Sequence, residues 1–149
     1  MPETWLTFAA EVNGGVFPGS GEAHQSDALE FLQQARGDVV YLDPPYPGTT
    51  SYERKYAVLD DLLEGETRTA SPFSRSTDPL PQLFDVCQHI LVWIVSFNNA
   101  ALQLEELAAL IRPHRPNIRA VEVPYRHLGS IATEATNASN REYIIVATP

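Results

Sequence analysis

The spacing of apolar and polar residues predicts helices that alternate with short strands. Asp27 and Glu30 form an Asp-x-x-Glu capping box ahead of apolar residues at helical spacing, and Gly37 is expected to end this first helix. The run at 39–42 is short, β-branched and aromatic, which is typical of a buried strand. Further helices are predicted at 57–64, 79–89 and 100–111, and further strands at 91–97, 118–123 and 142–147.

This order of elements predicts an α/β fold. Alternating helices and apolar strands favour a mostly parallel sheet with helices on both faces. The last two strands, joined by about 18 residues, are expected to form an antiparallel pair. Residues 25–149 therefore read as one domain, while residues 1–24 give no defined element and residues 66–78 read as a mobile loop.

Composition narrows the class of protein. The chain has 149 residues and is 44% hydrophobic, which is enough for one soluble domain with its own core. Its apolar runs are too short to cross a membrane, and it begins without a signal peptide, so we expect a cytoplasmic protein. A single cysteine, Cys87, excludes an internal disulfide or a cysteine-based zinc cluster, and the four histidines lack metal-ligand spacing.

The charge is strongly negative but unevenly distributed. The net charge is −9, which argues against this chain alone gripping the phosphates of DNA. Residues 1–100 hold fourteen of the 19 acids and five of the 10 Lys and Arg residues. We therefore expect any nucleic-acid contact in the final third, which holds Arg112, His114, Arg115, Arg119, Arg126, His127 and Arg141.

The segment Asp43-Pro44-Pro45-Tyr46 directly follows the strand predicted at 39–42. Ligands of open α/β sheets bind beyond the carboxyl ends of the strands, so this segment lies where chemistry is expected. The two prolines restrict the backbone and remove two N–H donors. The Asp43 carboxylate and the Pro44 carbonyl then remain as acceptors beside the aromatic face of Tyr46.

This combination suits an exocyclic amine on a nucleobase. The N6 amine of adenine has two protons to donate, and a carboxylate and a carbonyl can accept both. Tyr46 can stack on the base, which is worth about 1–3 kcal/mol. The base must first leave the duplex, because its amine is paired inside it.

Residues 39–46 resemble motif IV of the D12 class of adenine-specific DNA methyltransferases, the Dam-like enzymes. The resemblance implies a partial Rossmann-like methyltransferase sheet and a site-specific DNA adenine-N6 methyltransferase, as in restriction–modification. It implies S-adenosyl-L-methionine as cofactor and double-stranded DNA as partner. Catalytic roles fall on Asp43, Pro44, Pro45 and Tyr46, and Asp43 is also expected to contact the cofactor.

Other segments resemble the same family. Residues 26–32 resemble the segment before motif IV, which implies that Asp27 contacts the cofactor; the alternative is a plain helix cap. Tyr52 resembles the tyrosine-rich stretch after the motif. Ser96 and Asn98 match its strand-end Ser-aromatic-Asn. These last three residues are expected to bind substrate.

A second family motif, Phe-x-Gly-x-Gly, should follow a first strand and hold the methionine end of the cofactor. Residues 17–21 match it literally, but no convincing strand precedes them, and too few residues separate Gly21 from Asp43 for the missing strands. The chain is thus expected to be the catalytic half of a methyltransferase, with residues 1–24 as a remnant of the target-recognition region. The other half is then an N-terminal part or a separate subunit.

Two alternatives to adenine methylation by this chain remain open. Related cytosine-N4 enzymes carry Ser at the first motif position, and protein-glutamine or RNA enzymes carry Asn, so Asp43 favours adenine. The second alternative is an inactive or split-subunit fragment that keeps the fold and does not bind cofactor alone.

Overall fold

The computed structural model describes residues 2–16, 18–47, 52–64, 70–124 and 139–149. Within these residues the chain forms six helices and four strands interspersed along the sequence, which confirms the predicted α/β class. In chain order the elements are α1 (Pro2–Gly14), α2 (Ala28–Gln34), β1 (Val39–Leu42), α3 (Tyr52–Glu64), α4 (Pro72–Arg75), α5 (Leu80–Val86), β2 (Val92–Asn98), α6 (Leu104–Ile111), β3 (Asn117–Pro124) and β4 (Arg141–Thr148).

The four strands form one mixed sheet in the order β1-β2-β4-β3. β1 and β2 are parallel, whereas β4 runs antiparallel to both β2 and β3. The predicted antiparallel pair is confirmed, but the sheet is not mostly parallel, because β4 lies between β2 and β3 and turns two of the three pairings antiparallel. Leu42 pairs with Val95, so Asp43, which leaves the sheet after β1, lies beside Ser96, which continues in β2 and pairs with Ile144 of β4.

One face of the sheet carries the core. Alternate residues of β2 and β4, such as Trp93, Phe97 and Ile145, have no exposed surface. They form one cluster with buried side chains of α2, α4, α5 and α6, namely Leu32, Phe73, Leu80, Leu83, Phe84, Leu107 and Ile111. The helices that stabilise the sheet therefore pack on this face.

The opposite face of the sheet stays partly open, which corrects two expectations. Val39 and Tyr41 of β1 are 55% and 59% exposed, and Val121 of β3 is 61% exposed. β1 is therefore not a buried strand, and the described helices do not bury both faces. The physical reason is that β1 pairs with β2 alone among the described strands, and side chains of alternate residues in a strand point to opposite faces.

Several helices differ from their predicted limits. The N-terminal residues without an assignment form α1, whose described side chains are all exposed, including Trp5 at 76%. α2 ends at Gln34, with Ala35 as its C-cap, three residues before the predicted Gly37. Among the described residues, no helix is both long and apolar enough to cross a membrane.

The segment predicted as a mobile loop contains a short helix. Ser71 caps α4 by accepting a hydrogen bond from the Phe73 amide at 3.3 Å, and the Phe73 side chain is buried. The Ser71 amide in turn donates to Glu53 Oε1 of α3 at 2.8 Å. Polar composition alone favours a loop here, but one buried aromatic side chain and one carboxylate attach the segment to the fold.

A buried arginine closes the end of the sheet opposite Asp43. Arg115 is 6% exposed, and its guanidinium group donates to the main-chain carbonyls of Gln88, Ile90, Leu91 and His114 at 2.6–3.1 Å. The guanidinium carbon lies 4.5 Å from the centroid of the Trp93 ring. The arginine therefore joins the turn after α5, the start of β2 and the end of α6.

Candidate active site

The predicted motif forms an ordered polar loop at the carboxyl end of β1. The Tyr46 hydroxyl donates a hydrogen bond to Asp43 Oδ1 at 2.8 Å. Pro44 and Pro45, which lie between them, have no N–H to compete for the carboxylate. The Asp43 side chain is exposed, whereas Tyr46 is half-buried. The loop thus exposes the Asp43 carboxylate to solvent while the half-buried Tyr46 holds it by a hydrogen bond.

The Tyr46 ring is held in place by the core. It packs edge-on against Phe97 of β2, with 5.4 Å between ring centroids and 80° between ring planes. Burial raises the pKa of the Tyr46 phenol well above its usual value, and the carboxylates of Asp43 and Glu142 add to this effect, although the hydrogen bond with Ser96 opposes it. The phenol therefore stays protonated and acts as a hydrogen-bond donor at neutral pH.

Ser96 and Glu142 extend this arrangement into the sheet. Ser96 has no exposed surface. Its hydroxyl donates to Glu142 Oε1 at 2.8 Å, and its Oγ lies 3.4 Å from the Tyr46 hydroxyl. Ser96 was predicted to bind substrate, and the structure places it behind Tyr46. Its role in substrate binding stays a prediction.

Sequence reasoning missed Glu142. Its register partner is Asn98, so it lies on the sheet face that also bears Ser96. The available signal was an acidic residue at the start of an otherwise apolar strand, in register with the Ser-aromatic-Asn segment. That register depends on the pairing of β2 with β4, which are separated by more than 40 residues in the chain, and no local pattern reveals it.

The two asparagines at the carboxyl end of β2, Asn98 within the strand and Asn99 after it, make hydrogen bonds to the main chain. Asn98 Oδ1 accepts a hydrogen bond from the Ala100 amide at 3.0 Å, which caps the turn. Asn99 Oδ1 accepts from the Arg141 amide at 3.0 Å, and Asn99 Nδ2 donates to the Ser139 carbonyl at 2.8 Å. Asn98 thus lies near the predicted site with one side-chain oxygen already engaged, while Asn99 fixes the start of β4 and so the position of Glu142.

Asp27 occupies the N-cap of α2. Its Oδ1 accepts hydrogen bonds from the amides of Leu29 and Glu30 at 2.9 and 3.3 Å. These bonds are those of a helix cap, which is the alternative to the predicted cofactor contact. If Asp27 has both roles, its other carboxylate oxygen, Oδ2, must contact the cofactor. The side chain of Tyr52 lies outside the described residues, although its main chain begins α3.

Removal of the Asp27 cap is expected to destabilise the chain measurably. Asp27→Ala should lower the free energy of unfolding by about 1 kcal/mol, because two amides of the first turn of α2 lose their acceptor. Urea denaturation followed by circular dichroism measures this difference. Asp27→Asn is the matched control, since asparagine caps helices equally well. A fully stable Asp27→Ala variant would contradict the capping role.

The basic residues expected to face DNA divide into two groups. Arg115 is buried against main-chain carbonyls, and His114 is half-buried with its Nε2 3.8 Å from Asp85 Oδ1. Arg112 and Arg119 are exposed. Arg126 and His127 lie outside the described residues. The contacts of Arg115 and His114 therefore stabilise the fold. In the part of the chain that the structure describes, no group of three His, Cys, Asp or Glu side chains is arranged to hold a metal ion.

The literal Phe-x-Gly-x-Gly match at 17–21 follows a helix and not a strand. α1 ends at Gly14, and the described residues from 18 to 27 precede α2 without forming a strand. Phe17 itself lies outside the described residues. A cofactor turn of this kind requires a strand before it to direct its amides at the ligand. That this match is accidental stays an expectation.

Fold and site together define an α/β protein with an Asp-Pro-Pro-Tyr loop that follows the first strand of a parallel pair. The chain is 31% identical over 113 residues to "Type II methyltransferase M2.HphI" of Haemophilus parahaemolyticus, an alignment that includes 70% of this chain. It spans 33% of the length of that relative. No family model matches the sequence, and no solved structure matches it. The similarity supports a methyltransferase. The mixed sheet of this chain is consistent with part of a methyltransferase fold.

Proposed function

We propose that this chain is the catalytic part of a site-specific DNA adenine-N6 methyltransferase of the D12 class. The observation that carries the proposal is the Asp43–Tyr46 loop at the carboxyl end of β1, with Tyr46 hydrogen-bonded to the exposed Asp43 carboxylate at 2.8 Å. The name of the M2.HphI relative supports a methyltransferase within restriction–modification. A single DNA-modifying domain, residues 25–149, follows the N-terminal helix.

In this proposal the loop receives the N6 amine of an adenine that has left the duplex. The Asp43 carboxylate and the Pro44 carbonyl accept hydrogen bonds from its two N–H groups, which favours a localised lone pair on the nitrogen. Pro45 and the packing of Tyr46 on Phe97 keep the acceptors in place before the base arrives, so little reorganisation is needed at the moment of transfer. Tyr46 stacks on the base, and Tyr52 and Asn98 are proposed to line its pocket.

S-adenosyl-L-methionine supplies the methyl group when it is bound, and the amine is the nucleophile. No protein nucleophile is needed. Cys87 fits this, because it has no exposed surface and burial raises the pKa of its thiol to about 11. Asp27 and Asp43 are the acids proposed to face the cofactor.

The described residues fit only part of a cofactor site. The glycine segment at 17–21 lacks the strand that its amides need, and the chain spans 33% of its relative. We therefore propose that the methionine end of the cofactor and much of the DNA are held elsewhere, by an N-terminal half or a separate subunit. The net charge of −9 agrees with this division, because phosphate contacts need a basic surface.

The experiment that tests the proposal identifies the methylated base. The chain is incubated with S-adenosylmethionine and duplex DNA, alone and with the complementary part of the enzyme, and the digested nucleosides are separated by mass spectrometry. We expect N6-methyladenine, with the product lost in Tyr46→Ala. N4-methylcytosine as the product would overturn the adenine assignment.

The second candidate is a fragment with the same fold that does not bind cofactor alone. The unsupported glycine segment favours it. Isothermal titration of the folded chain with S-adenosylmethionine separates the two candidates. Binding that is lost in Asp43→Ala supports the enzyme. A folded chain that neither binds the cofactor nor transfers a methyl group with its complement supports the fragment.

A further inference from the structure

The Tyr46 hydroxyl lies within hydrogen-bond distance of a carboxylate, that of Asp43, and of the Ser96 hydroxyl, which itself bonds Glu142. The phenol proton is directed at Asp43 Oδ1, 2.8 Å away, while Ser96 Oγ lies 3.4 Å from the same phenol oxygen. Ser96 has one hydroxyl proton, and that proton is donated to Glu142 Oε1 at 2.8 Å. Ser96 Oγ therefore presents its lone pairs to the Tyr46 hydroxyl.

We propose that Glu142 is a positioning residue that keeps Ser96 as a second acceptor for the Tyr46 hydroxyl. The inference rests on the proposed function in one respect, namely that the amine of the base replaces the Tyr46 hydroxyl as the hydrogen-bond donor to the Asp43 carboxylate. When the amine donates to Asp43, the phenol proton can turn from Asp43 to Ser96 Oγ, and the ring does not need to move. Asp43 then becomes available to the amine while the Tyr46 hydroxyl keeps Ser96 Oγ as an acceptor.

Glu142 is needed because a serine hydroxyl can also donate. Without an acceptor at position 142, the Ser96 proton can turn to the Tyr46 oxygen at 3.4 Å. Tyr46 would then have Asp43 as its near acceptor, and the carboxylate would stay engaged when the amine arrives. The position of Glu142 is itself fixed, because Asn99 holds the start of β4 through the Arg141 amide.

The test observes the Tyr46 hydroxyl directly. The full chain is labelled with tyrosine carrying ¹³C at Cζ, and Tyr46→Phe identifies the Tyr46 resonance. We expect this resonance to shift in Glu142→Leu and in Ser96→Ala, and to stay in place in Glu122→Leu, the same substitution at an exposed acid of β3. Because Glu142 acts through Ser96, the Ser96→Ala/Glu142→Leu double variant should give the same Tyr46 resonance as Ser96→Ala alone.

Two results would overturn the inference: an unchanged Tyr46 resonance in folded Glu142→Leu, or full addition of the two shifts in the double variant. Ser96→Ala keeps the test decisive if Glu142→Leu does not fold. Where methyl transfer is measurable, kcat of Glu142→Leu should fall by about threefold to tenfold, the factor that one net hydrogen bond represents, with KM for S-adenosylmethionine unchanged. Absence of transfer by the wild-type enzyme would contradict the proposed function, and the resonance would still decide the role of Glu142.

Discussion

Replacement of Asp43 with alanine is expected to lower kcat for methyl transfer to adenine by at least about 100-fold, the usual effect of removing one preorganised polar group at a reacting atom. Two losses combine in this variant. The amine loses its carboxylate acceptor, and the Tyr46 hydroxyl loses the partner 2.8 Å away. Transfer of the tritiated methyl group from S-adenosylmethionine to duplex DNA measures the effect in the active form of the enzyme.

Asp38→Ala is the matched control for this experiment. Asp38 is an exposed acid immediately before β1, at the opposite end of the strand from Asp43, and its main-chain carbonyl keeps its hydrogen bond with the Val92 amide in the variant. We expect wild-type rates from Asp38→Ala. An Asp43→Ala enzyme that keeps more than one tenth of the wild-type kcat would contradict the role assigned to Asp43.

Replacement of Arg115 with methionine is expected to be the most destabilising single change considered for this chain, with a loss of about 3 kcal/mol or more in the free energy of unfolding. Methionine fills a similar volume but removes the guanidinium donors from four main-chain carbonyls, of which the Ile90 carbonyl keeps a hydrogen bond from Trp93 Nε1 at 2.8 Å. The stacking of the cation over Trp93, at 4.5 Å, is lost as well. Urea denaturation followed by tryptophan fluorescence measures the difference.

Arg112→Met is the control for Arg115. Arg112 lies three residues earlier, its side chain is 55% exposed, and it pairs with Glu105 at 3.6 Å. Such a surface pair contributes at most about 1 kcal/mol. Arg115→Lys should recover little stability, because a lysine ammonium cannot reproduce the planar arrangement of guanidinium donors. Equal stabilities for Arg112→Met and Arg115→Met would show that the buried network contributes nothing.

The motif loop was predictable because its properties are local. The apolar strand at 39–42 and the prolines after it indicate where the chain leaves the sheet, and the structure confirms that Asp43 and Tyr46 lie together at that point. The helix cap at Asp27 was predictable for the same reason, since a cap joins residues two or three positions apart. Its part in cofactor binding stays a prediction.

The limits of the elements were less predictable. Residues 72–75 form a helix within a Ser- and Thr-rich stretch because Phe73 enters the core and Glu53, 18 residues before Ser71, accepts a hydrogen bond from its amide. Arg115 looked like a solvent-exposed charge suited to DNA. Its burial depends on carbonyls of residues 88–91, which its own segment does not predict.

The sequence by itself determined the α/β class, the strand after which Asp43 leaves the sheet, and the chemistry available in the Asp-Pro-Pro-Tyr loop. Those features depend on periodicity, on proline geometry and on neighbouring residue types. Only the tertiary structure decided that β4 lies between β2 and β3, because strand order depends on packing between distant segments. That order places Glu142 beside Ser96 and Ser96 behind Tyr46. The loop that the motif defines is therefore supported by residues that only the sheet brings together.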